Sequence, residues 1–274
     1  MDYLEPIDFT ADGFGEVCDE LSLWAAPFGL MLLEHVPLER GKCILDVGCG
    51  TGFLALELAE RCGPETRVIA VDPWKSAMHR LRRKIQERGL CNIQLFEEDV
   101  CKISVPEASV DLIVSNLGLN NFDHPDAVLN ACFRMAKPGA SVLMTTNLSG
   151  HMAEFYSVYR EVLIELGQHD RLPLLESHIQ HRGTVDSIRR QLEDARFNVN
   201  KVVTDAFRMR FADGSCLLRH YFIRLGFVQA WKSIASPDRI DETFTVLEQK
   251  LNALARAQGE LALNIPMACF VATK

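Results

Sequence analysis

The sequence of 274 residues lacks most of the features that mark specialised classes of protein. It has no internal repeat, low-complexity tract or linker-like run, which argues against repeat arrays and disordered chains. Its most apolar segment, LSLWAAPFGLMLLEHV, is too short to cross a bilayer and contains a proline, a glycine and a glutamate. The first residues, MDYLEPIDFTADG, lack the basic and apolar pattern of a signal peptide. We therefore expect a cytoplasmic protein without a membrane span.

Cysteine occurs nine times, but without a Cys-x-x-Cys pair or regular spacing. This pattern favours reduced thiols and offers no ligand cluster, so no metal site is predicted. Basic residues are in the minority, with 29 lysines and arginines against 37 acidic residues and a net charge of −8. Nucleic acid is therefore not an expected partner, because phosphate binding depends on basic patches. The one basic run, at 79–84, is interpreted as the solvated face of a helix.

Short apolar runs do alternate regularly with helical patterns between residues 43 and 147. Five runs are rich in Val, Ile and Leu, as strands buried on both faces are: CILDVG, RVIAVD, IQLFEED, VDLIVSN and SVLMTTN. Between them, residues 73–89 and 124–139 show the period of amphipathic helices, each closed by a glycine. Strands joined through helices predict an α/β fold with a doubly wound parallel sheet.

The pattern changes after residue 147. A helix, an irregular connection, a second helix and two strands are predicted at 151–167, 170–183, 184–197, 199–211 and 267–274. The stretches 148–183 and 212–262 then become insertions around the later strands, and we expect them to form helical caps. An N-terminal helical cover is expected over 1–40. With no visible boundary, 1–274 is interpreted as a single domain.

The most informative stretch follows the first predicted strand, where Gly48, Gly50 and Gly52 fall within five residues. Glycine permits sharp bends and lets a ligand approach the backbone closely. A strand that leads through such a loop into a helix presents N–H groups and the positive helix end to a ligand at the sheet edge. No Gly-Lys-Ser/Thr follows, which excludes a P-loop. Phe53 stands where G-x-G-x-x-G requires its last glycine, so nicotinamide binding is only weakly indicated.

Three acidic residues at neighbouring strand ends narrow the choice of ligand. Asp46 lies inside the end of the first strand, where a buried carboxylate requires a cation or several donors. Asp72 ends the second strand, a position from which a carboxylate accepts from ribose hydroxyls. Asp99 ends the third, where it can accept from an exocyclic amine. The three together fit a ligand with a cation, a ribose and an amino-bearing base, and not one with phosphates.

With these residues the chain resembles the class I, seven-stranded S-adenosylmethionine-dependent methyltransferases. The matching segments are ILDVGCGTG (44–52), VIAVDP, EEDV, VDLIVSNLGLNNF (110–122), AKPGASVLMTTN (136–147) and MACFVATK. The resemblance implies a mostly parallel seven-stranded sheet with an antiparallel last strand. It also implies S-adenosyl-L-methionine as cofactor and S-adenosyl-L-homocysteine as product. The capped plan is similar to the small-molecule branch that includes quinone-biosynthesis and malonyl-carrier-protein methyltransferases.

The resemblance further implies roles for individual residues. The three glycines lie against the methionine moiety, and the three carboxylates contact its ammonium group, the ribose and the adenine amino group in chain order. The Val100 N–H is placed at a ring nitrogen, with Asn116 and Leu117 beside the sulfonium. The full predicted cofactor set is Asp46, Gly48, Cys49, Gly50, Gly52, Asp72, Pro73, Asp99, Val100, Asn116 and Leu117. Removal of Asp72 is expected to abolish cofactor binding and leave the fold intact.

Methyl transfer from a sulfonium is an in-line displacement, so the enzyme mainly places the acceptor behind the methyl carbon and excludes water. A general base is needed only where the nucleophile is protonated. The candidate bases are the histidines at 124, 151 and 220, with those at 178 and 181 as alternatives, and of these His151 and His220 are assigned to catalysis. Asn121, next to Asn120, is a candidate contact to the acceptor. Insertions rich in Phe, Tyr and Leu favour a small-molecule acceptor. The sequence SNLG at 115–118, in place of Asn-Pro-Pro-Tyr, disfavours nucleic acid bases and protein amides.

Two other interpretations stay open at this point. A non-catalytic homologue that binds S-adenosylmethionine or a nucleoside and acts through a protein partner would keep the same binding residues, although a complete set counts against it. A nicotinamide-dependent oxidoreductase would bind a pyrophosphate, which three carboxylates repel. The oligomeric state is undetermined, with a homodimer among the alternatives.

Overall fold

The structure, a computed structural model, describes residues 2–5 and 23–274. The chain divides into two compact units, which we call the sheet unit and the helical unit. Within the described residues, the sheet unit contains 23–147, 183–205 and 267–274, and the helical unit contains 2–5, 148–182 and 206–266. The predicted N-terminal cover over 1–40 falls partly on residues 6–22, which lie outside the described residues.

A seven-stranded sheet is the main feature of the chain. Its strands are β1 Cys43–Val47, β2 Arg67–Val71, β3 Ile93–Phe96, β4 Val110–Asn116, β5 Ala136–Asn147, β6 Asn198–Phe211 and β7 Leu261–Thr273. They follow the order β3-β2-β1-β4-β5-β7-β6. The first five strands pair in parallel, and β7 runs antiparallel to β5 with Ser141 opposite Thr273. This confirms the predicted doubly wound, mostly parallel sheet with an antiparallel last strand.

The helices separate the strands in the predicted way. They are α1 Ala26–Leu33, α2 Phe53–Cys62, α3 Lys75–Arg88, α4 Pro125–Met135, α5 Ala153–Glu165, α6 Leu172–Gln180, α7 Val185–Asp194, α8 Gly214–Arg219, α9 Tyr221–Ile223, α10 Gln229–Ile234 and α11 Ile240–Gln258. In α3 the apolar stripe buries Ala77 and Leu81, and Gly89 caps the helix with a φ of 65°. In α4 the buried stripe includes Val128, Leu129 and Cys132. No helix in this described part of the chain is long and apolar enough to cross a membrane.

One predicted element is wrong and two strands begin earlier than predicted. The segment 170–183, interpreted as an irregular connection, contains the helix α6. Pro173 lies in the first turn of α6, where it is compatible with a helix, and Leu175 is fully buried. Strand β5 begins at Ala136 and β7 at Leu261, because main-chain pairing continues beyond the apolar runs that marked them.

The helical unit has a core of its own, built from both insertions. Phe155 of α5 stacks on Trp231 of α10 with ring centroids 3.9 Å apart. The Tyr159 hydroxyl donates to the Trp231 carbonyl oxygen at 2.7 Å, and Tyr159 also contacts Phe244 of α11 edge to face. Thus residues 148–182 and 206–266 bury their aromatic side chains against each other.

Candidate functional site

The glycine loop lies between β1 and α2 and is hydrogen-bonded to the end of β2. The N–H groups of Gly48 and Cys49 both donate to the Val71 carbonyl, at 2.9 and 3.2 Å. Gly48, Gly50 and Gly52 have φ values of +72°, +52° and +91°, which L-residues with a side chain rarely adopt. A Cβ at Gly50 would meet no atom within 4 Å. The loop therefore turns sharply and leaves open space at its middle glycine.

Asp46 is buried beneath this loop. Its side chain is 2% exposed, and burial, with repulsion from Asp72, raises its pKa from 3.8 to about 7 in spite of a hydrogen bond from the Ala55 N–H. Within the described residues, the second carboxylate oxygen, Oδ2, has no hydrogen-bond partner. A buried acceptor without a donor is unfavourable, so this oxygen is available to a cationic donor group.

Asp72 sits at the end of β2 and contacts the same loop. Its Oδ2 accepts from the Gly50 N–H and its Oδ1 from the Trp74 N–H, both at 2.8 Å. Burial raises the pKa of Asp72, and these two hydrogen bonds partly oppose the rise. The Asp72 carboxylate therefore also fixes the glycine loop, a structural contribution that the sequence did not indicate.

We expect the Asp72→Ala variant to lose stability as well as cofactor affinity. Two amide donors would lose their acceptor, which corresponds to ~1–3 kcal/mol of unfolding free energy. Asp72→Asn keeps one acceptor oxygen and also removes the charge whose burial raises the pKa of Asp72, so it should recover most or all of this loss. Chemical denaturation of the three proteins measures the effect, and equal midpoints for wild type and Asp72→Ala would show that the two hydrogen bonds contribute nothing to stability.

A cavity of about 260 Å³ opens beside the loop within the sheet unit. Its lining includes the predicted residues Gly48, Pro73, Asp99, Val100 and Asn121, together with Val47, Val71, Glu98, Cys101, Phe122, Asp123, His124, Ala127 and Val128. Asp99 is exposed, and its Oδ1 accepts from the Cys101 N–H at 2.8 Å. Whole small-molecule sites measure roughly 300–1,000 Å³, so this cavity fits one part of a ligand.

The end of β4 supplies the next predicted pair, Asn116 and Leu117. The Asn116 Oδ1 accepts from the Thr145 hydroxyl at 2.6 Å, and its Nδ2 donates to the Ala25 carbonyl at 3.1 Å. Leu117 is buried and has a φ of +66°. A left-handed conformation at a leucine is strained, and such strain persists where the surroundings enforce it. Here the Leu117 N–H donates to the Thr145 carbonyl at 3.0 Å.

The three candidate catalytic residues are divided between the two units. Asn121 belongs to the sheet unit, lines the cavity beside Asp99 and donates from Nδ2 to the Leu117 carbonyl at 2.8 Å. His151 and His220 belong to the helical unit. His220 is exposed, with its ring 5.4 Å from that of Phe211.

His151 is the buried member of the pair, 4% exposed. Burial, together with the positive charges of Arg182 and His178, lowers its pKa from 6.5 to about 3. The imidazole is therefore neutral at pH 7 and a weak base. Its Nδ1 atom has no hydrogen-bond partner among the residues that the structure describes.

Some residues of the site were not predicted from the sequence. The Ser115 hydroxyl donates to the Val47 carbonyl at 2.7 Å and so ties the end of β4 to that of β1. A Cβ at Gly118 would lie 2.2 Å from this hydroxyl oxygen and 2.6 Å from the Phe122 ring. The Phe122 ring also lies 3.6 Å from the Cβ position of Gly48. The glycine at position 118, in the sequence SNLG, could have indicated this contact, because close packing at a strand end favours glycine.

Metal binding has no support in the described ranges, where no group of three or more His, Cys, Asp and Glu side chains could hold an ion.

Comparisons with known proteins show what this part of the chain is similar to. Residues 44–139 match the family described as a methyltransferase domain. The demethylmenaquinone methyltransferase of Geobacillus kaustophilus is 30% identical over 141 residues, 50% of this chain and 60% of that protein. The chain thus spans only 54–60% of the first curated relatives it matches.

Solved structures show the same fold. A SAM-dependent methyltransferase from Aquifex aeolicus aligns with a TM-score of 0.51 and 22% identity, over 68% of this chain and 90% of that one. The Haemonchus contortus phosphoethanolamine N-methyltransferase 2, in complex with phosphomonomethylethanolamine and S-adenosylhomocysteine, aligns with a TM-score of 0.56 and 17% identity. That alignment covers 98% of this chain and 61% of the other.

Residues 44–139 are thus similar to a methyltransferase domain, and the seven-stranded sheet has the fold of the solved methyltransferases. The curated relatives that match this part of the chain are demethylmenaquinone methyltransferases.

Proposed function

We propose that this chain transfers a methyl group from S-adenosylmethionine to a small-molecule acceptor by in-line displacement. The observation that carries the proposal is the buried Asp46 carboxylate, whose Oδ2 has no partner among the described residues. It lies beneath a glycine loop with open space at Gly50. The methionine moiety of the cofactor carries an ammonium group, the donor that this oxygen lacks.

The other predicted residues fit the remaining parts of the cofactor. In the proposed complex Asp72 accepts from the ribose hydroxyls, while Asp99 and the Val100 N–H contact the adenine. The cavity that Asp99 and Val100 line is large enough for one such ring system. Asn116 and Leu117 face the sulfonium. When it is bound, the cofactor supplies an electrophilic methyl group, and the chain has only to hold the acceptor in line with it.

His151 is not favoured as a general base in this proposal. An imidazole with a pKa of about 3 removes protons poorly near neutral pH. His220 is exposed beside Phe211 and remains the candidate general base. An acceptor that is already deprotonated needs no base.

The acceptor we propose is a small aromatic or amphipathic molecule and not a nucleic acid. The curated relatives are named for demethylmenaquinone, which supports an acceptor of this kind. The family match ends at residue 139, before the insertions of the helical unit. We propose that these insertions select the acceptor, as the caps predicted from the sequence would. A cytoplasmic location is part of the same proposal.

Calorimetric titration with S-adenosylhomocysteine tests the cofactor, with NADH as the matched control ligand. We expect saturable micromolar binding of the former and none of the latter. The reverse pattern would replace the proposal with the nicotinamide alternative. Binding of S-adenosylhomocysteine without methyl transfer to any member of a quinol, phenol and carboxylate panel would favour the non-catalytic homologue.

A further inference from the structure

A cluster of polar side chains lies inside the helical unit, which contains none of the residues predicted to hold the cofactor. It consists of His151, Tyr156 on α5, His178 on α6 and Arg182, which we call the histidine–arginine cluster. Arg182 is included because its positive charge acts on the other three side chains. The rings of His151 and Tyr156 have centroids 5.8 Å apart, and those of Tyr156 and His178 5.6 Å apart. All four side chains come from one stretch of the chain, 148–182.

Hydrogen bonds fix the centre of this cluster. The Trp231 indole N–H, which can only donate, lies 3.3 Å from the Tyr156 hydroxyl oxygen. The same hydroxyl lies 3.1 Å from the Nε2 atom of His178. Tyr156 is therefore held between a fixed donor and an imidazole. The neighbouring His151 keeps an unpartnered Nδ1 atom in a side chain that is 4% exposed.

Arg182 supplies a positive charge that no carboxylate of the described residues neutralises. Its side chain is partly buried, and this burial lowers the pKa of the guanidinium. Across residues 2–5 and 23–274, no carboxylate forms an ion pair or hydrogen bond with it. By contrast Arg160, in the same unit, forms an ion pair with Glu176. A desolvated cation without a counter-charge is costly, so the cluster favours an anion.

The surroundings indicate what the anion is attached to. The Phe227 ring lies 5.7 Å from that of His151 and 5.6 Å from that of Trp231. Trp231 is also stacked on Phe155. Aromatic rings beside a guanidinium and imidazoles suit a flat apolar molecule that carries one charged oxygen group.

We propose that the histidine–arginine cluster is a binding site for an anionic oxygen, a carboxylate or a phenolate, on a small aromatic molecule. Arg182 neutralises the charge, the unpartnered Nδ1 atom of His151 donates a further hydrogen bond in its protonated tautomer, and the Phe227 ring contacts the apolar body. The site rests on the proposed function in one respect, namely that its ligand is the methyl acceptor.

The first experiment measures the binding of benzoate, 4-nitrophenolate and the neutral isostere benzamide to the full chain by calorimetry. We expect at least one of the two anions to bind about tenfold or more tightly than benzamide, because hydrogen bonds to charged groups are the strong ones. Preference for benzoate would identify a carboxylate ligand, and preference for 4-nitrophenolate a phenolate. Equal affinities for all three, or no binding at millimolar concentrations, would overturn the proposal.

Three arginine variants show whether the selectivity depends on the cluster. Arg182→Gln should bind the anion and benzamide equally, while Arg182→Lys, which keeps the charge, should retain part of the preference. Arg256→Gln removes an exposed arginine of the same unit and should behave as wild type. If Arg256→Gln lost the preference to the same degree as Arg182→Gln, the effect would be one of net charge and the site would be rejected. Thermal melts confirm that each variant is folded.

Titration with S-adenosylhomocysteine separates this inference from the proposed function. Arg182→Gln should bind it as wild type does, since no predicted cofactor residue lies in the helical unit. If wild type binds S-adenosylhomocysteine but does not discriminate benzoate and 4-nitrophenolate from benzamide, the anion site alone fails. If wild type discriminates the anions but does not bind S-adenosylhomocysteine, the cofactor assignment fails and the anion site stands.

Discussion

The Asp46→Asn variant should be more stable than wild type at pH 8, by ~4 kcal/mol in unfolding free energy. In the unfolded chain the Asp46 carboxyl ionises near pH 3.8, but in the folded chain it does so only near pH 7. Ionisation therefore favours the unfolded state between these values, and stability falls as pH rises through this window. Above pH 7 the difference is constant. Asparagine has the same shape and no charge, so it removes this loss of stability.

The pH dependence distinguishes this effect from a general one. Between pH 5 and pH 8 the stability difference between Asp46→Asn and wild type should grow by roughly 2–3 kcal/mol. Asp111→Asn is the matched control. Partial burial opposes ionisation of Asp111, but hydrogen bonds from Cys43 and Lys137 outweigh it and lower its pKa. Its carboxylate thus contributes stability above about pH 4, and its replacement should destabilise the protein at pH 8. Denaturation curves in which both variants shift the same way would contradict the assignment.

The same substitution, Asp46→Asn, should lower the affinity for the cofactor although it raises the stability of the fold. The ionised carboxylate pairs with an ammonium group, so we expect Asp46→Asn to bind S-adenosylhomocysteine at least tenfold more weakly at pH 8. For wild type, affinity should decline as pH falls below about 7, where Asp46 takes up a proton. A variant that is more stable and also binds as tightly would show that Asp46 does not hold the ligand.

The sheet and the glycine loop could be predicted because their signals are local. Each buried strand appears as an apolar run, and the residues that follow it, such as Asp72 and Asp99, reach the same sheet edge through the parallel topology. Gly48 and Gly52 appear in the sequence because glycine adopts their positive φ values without the strain that a side chain adds. Local patterns therefore led to the alternating elements of 43–147, the glycine loop and the three carboxylates. The antiparallel last strand and the roles of Val100, Asn116 and Leu117 were implied by the resemblance to a family.

What could not be predicted depends on packing between distant segments. The second role of Asp72, as acceptor for Gly50 and Trp74, is visible only once the loop is folded. The strained φ of Leu117 has no sequence signature, because leucine is not a residue that favours it. His178 and Arg182 fell in a segment interpreted as irregular, and their approach to Tyr156 and His151 depends on how α6 packs on α5.

Substitution of Gly52 by alanine should destabilise the fold by ~2–5 kcal/mol, the sum of a left-handed backbone and an overpacked core. Gly52 has a φ of +91°. A Cβ there would lie 2.2 Å from Cδ1 of Leu81, a side chain that is fully buried on α3. Because Leu81 is fully buried, its side chain has little room to move away, so the loss should appear as a large decrease in the denaturation midpoint.

Gly50→Ala is the matched control, because it makes the same chemical change in the same loop. Its φ of +52° lies in the left-handed region that other residues occasionally adopt, and its Cβ would meet nothing within 4 Å. We expect a loss of only ~1 kcal/mol in the free energy of unfolding.

A methyl group at position 50 should nevertheless weaken S-adenosylhomocysteine binding, if the methionine moiety lies in the open space beside this loop. Gly52→Ala would then mainly lower the stability of the fold, whereas Gly50→Ala would mainly lower the affinity for the ligand. Equal losses of stability in the two variants would show that the contact with Leu81 is unimportant, and unchanged affinity in Gly50→Ala would place the ligand elsewhere.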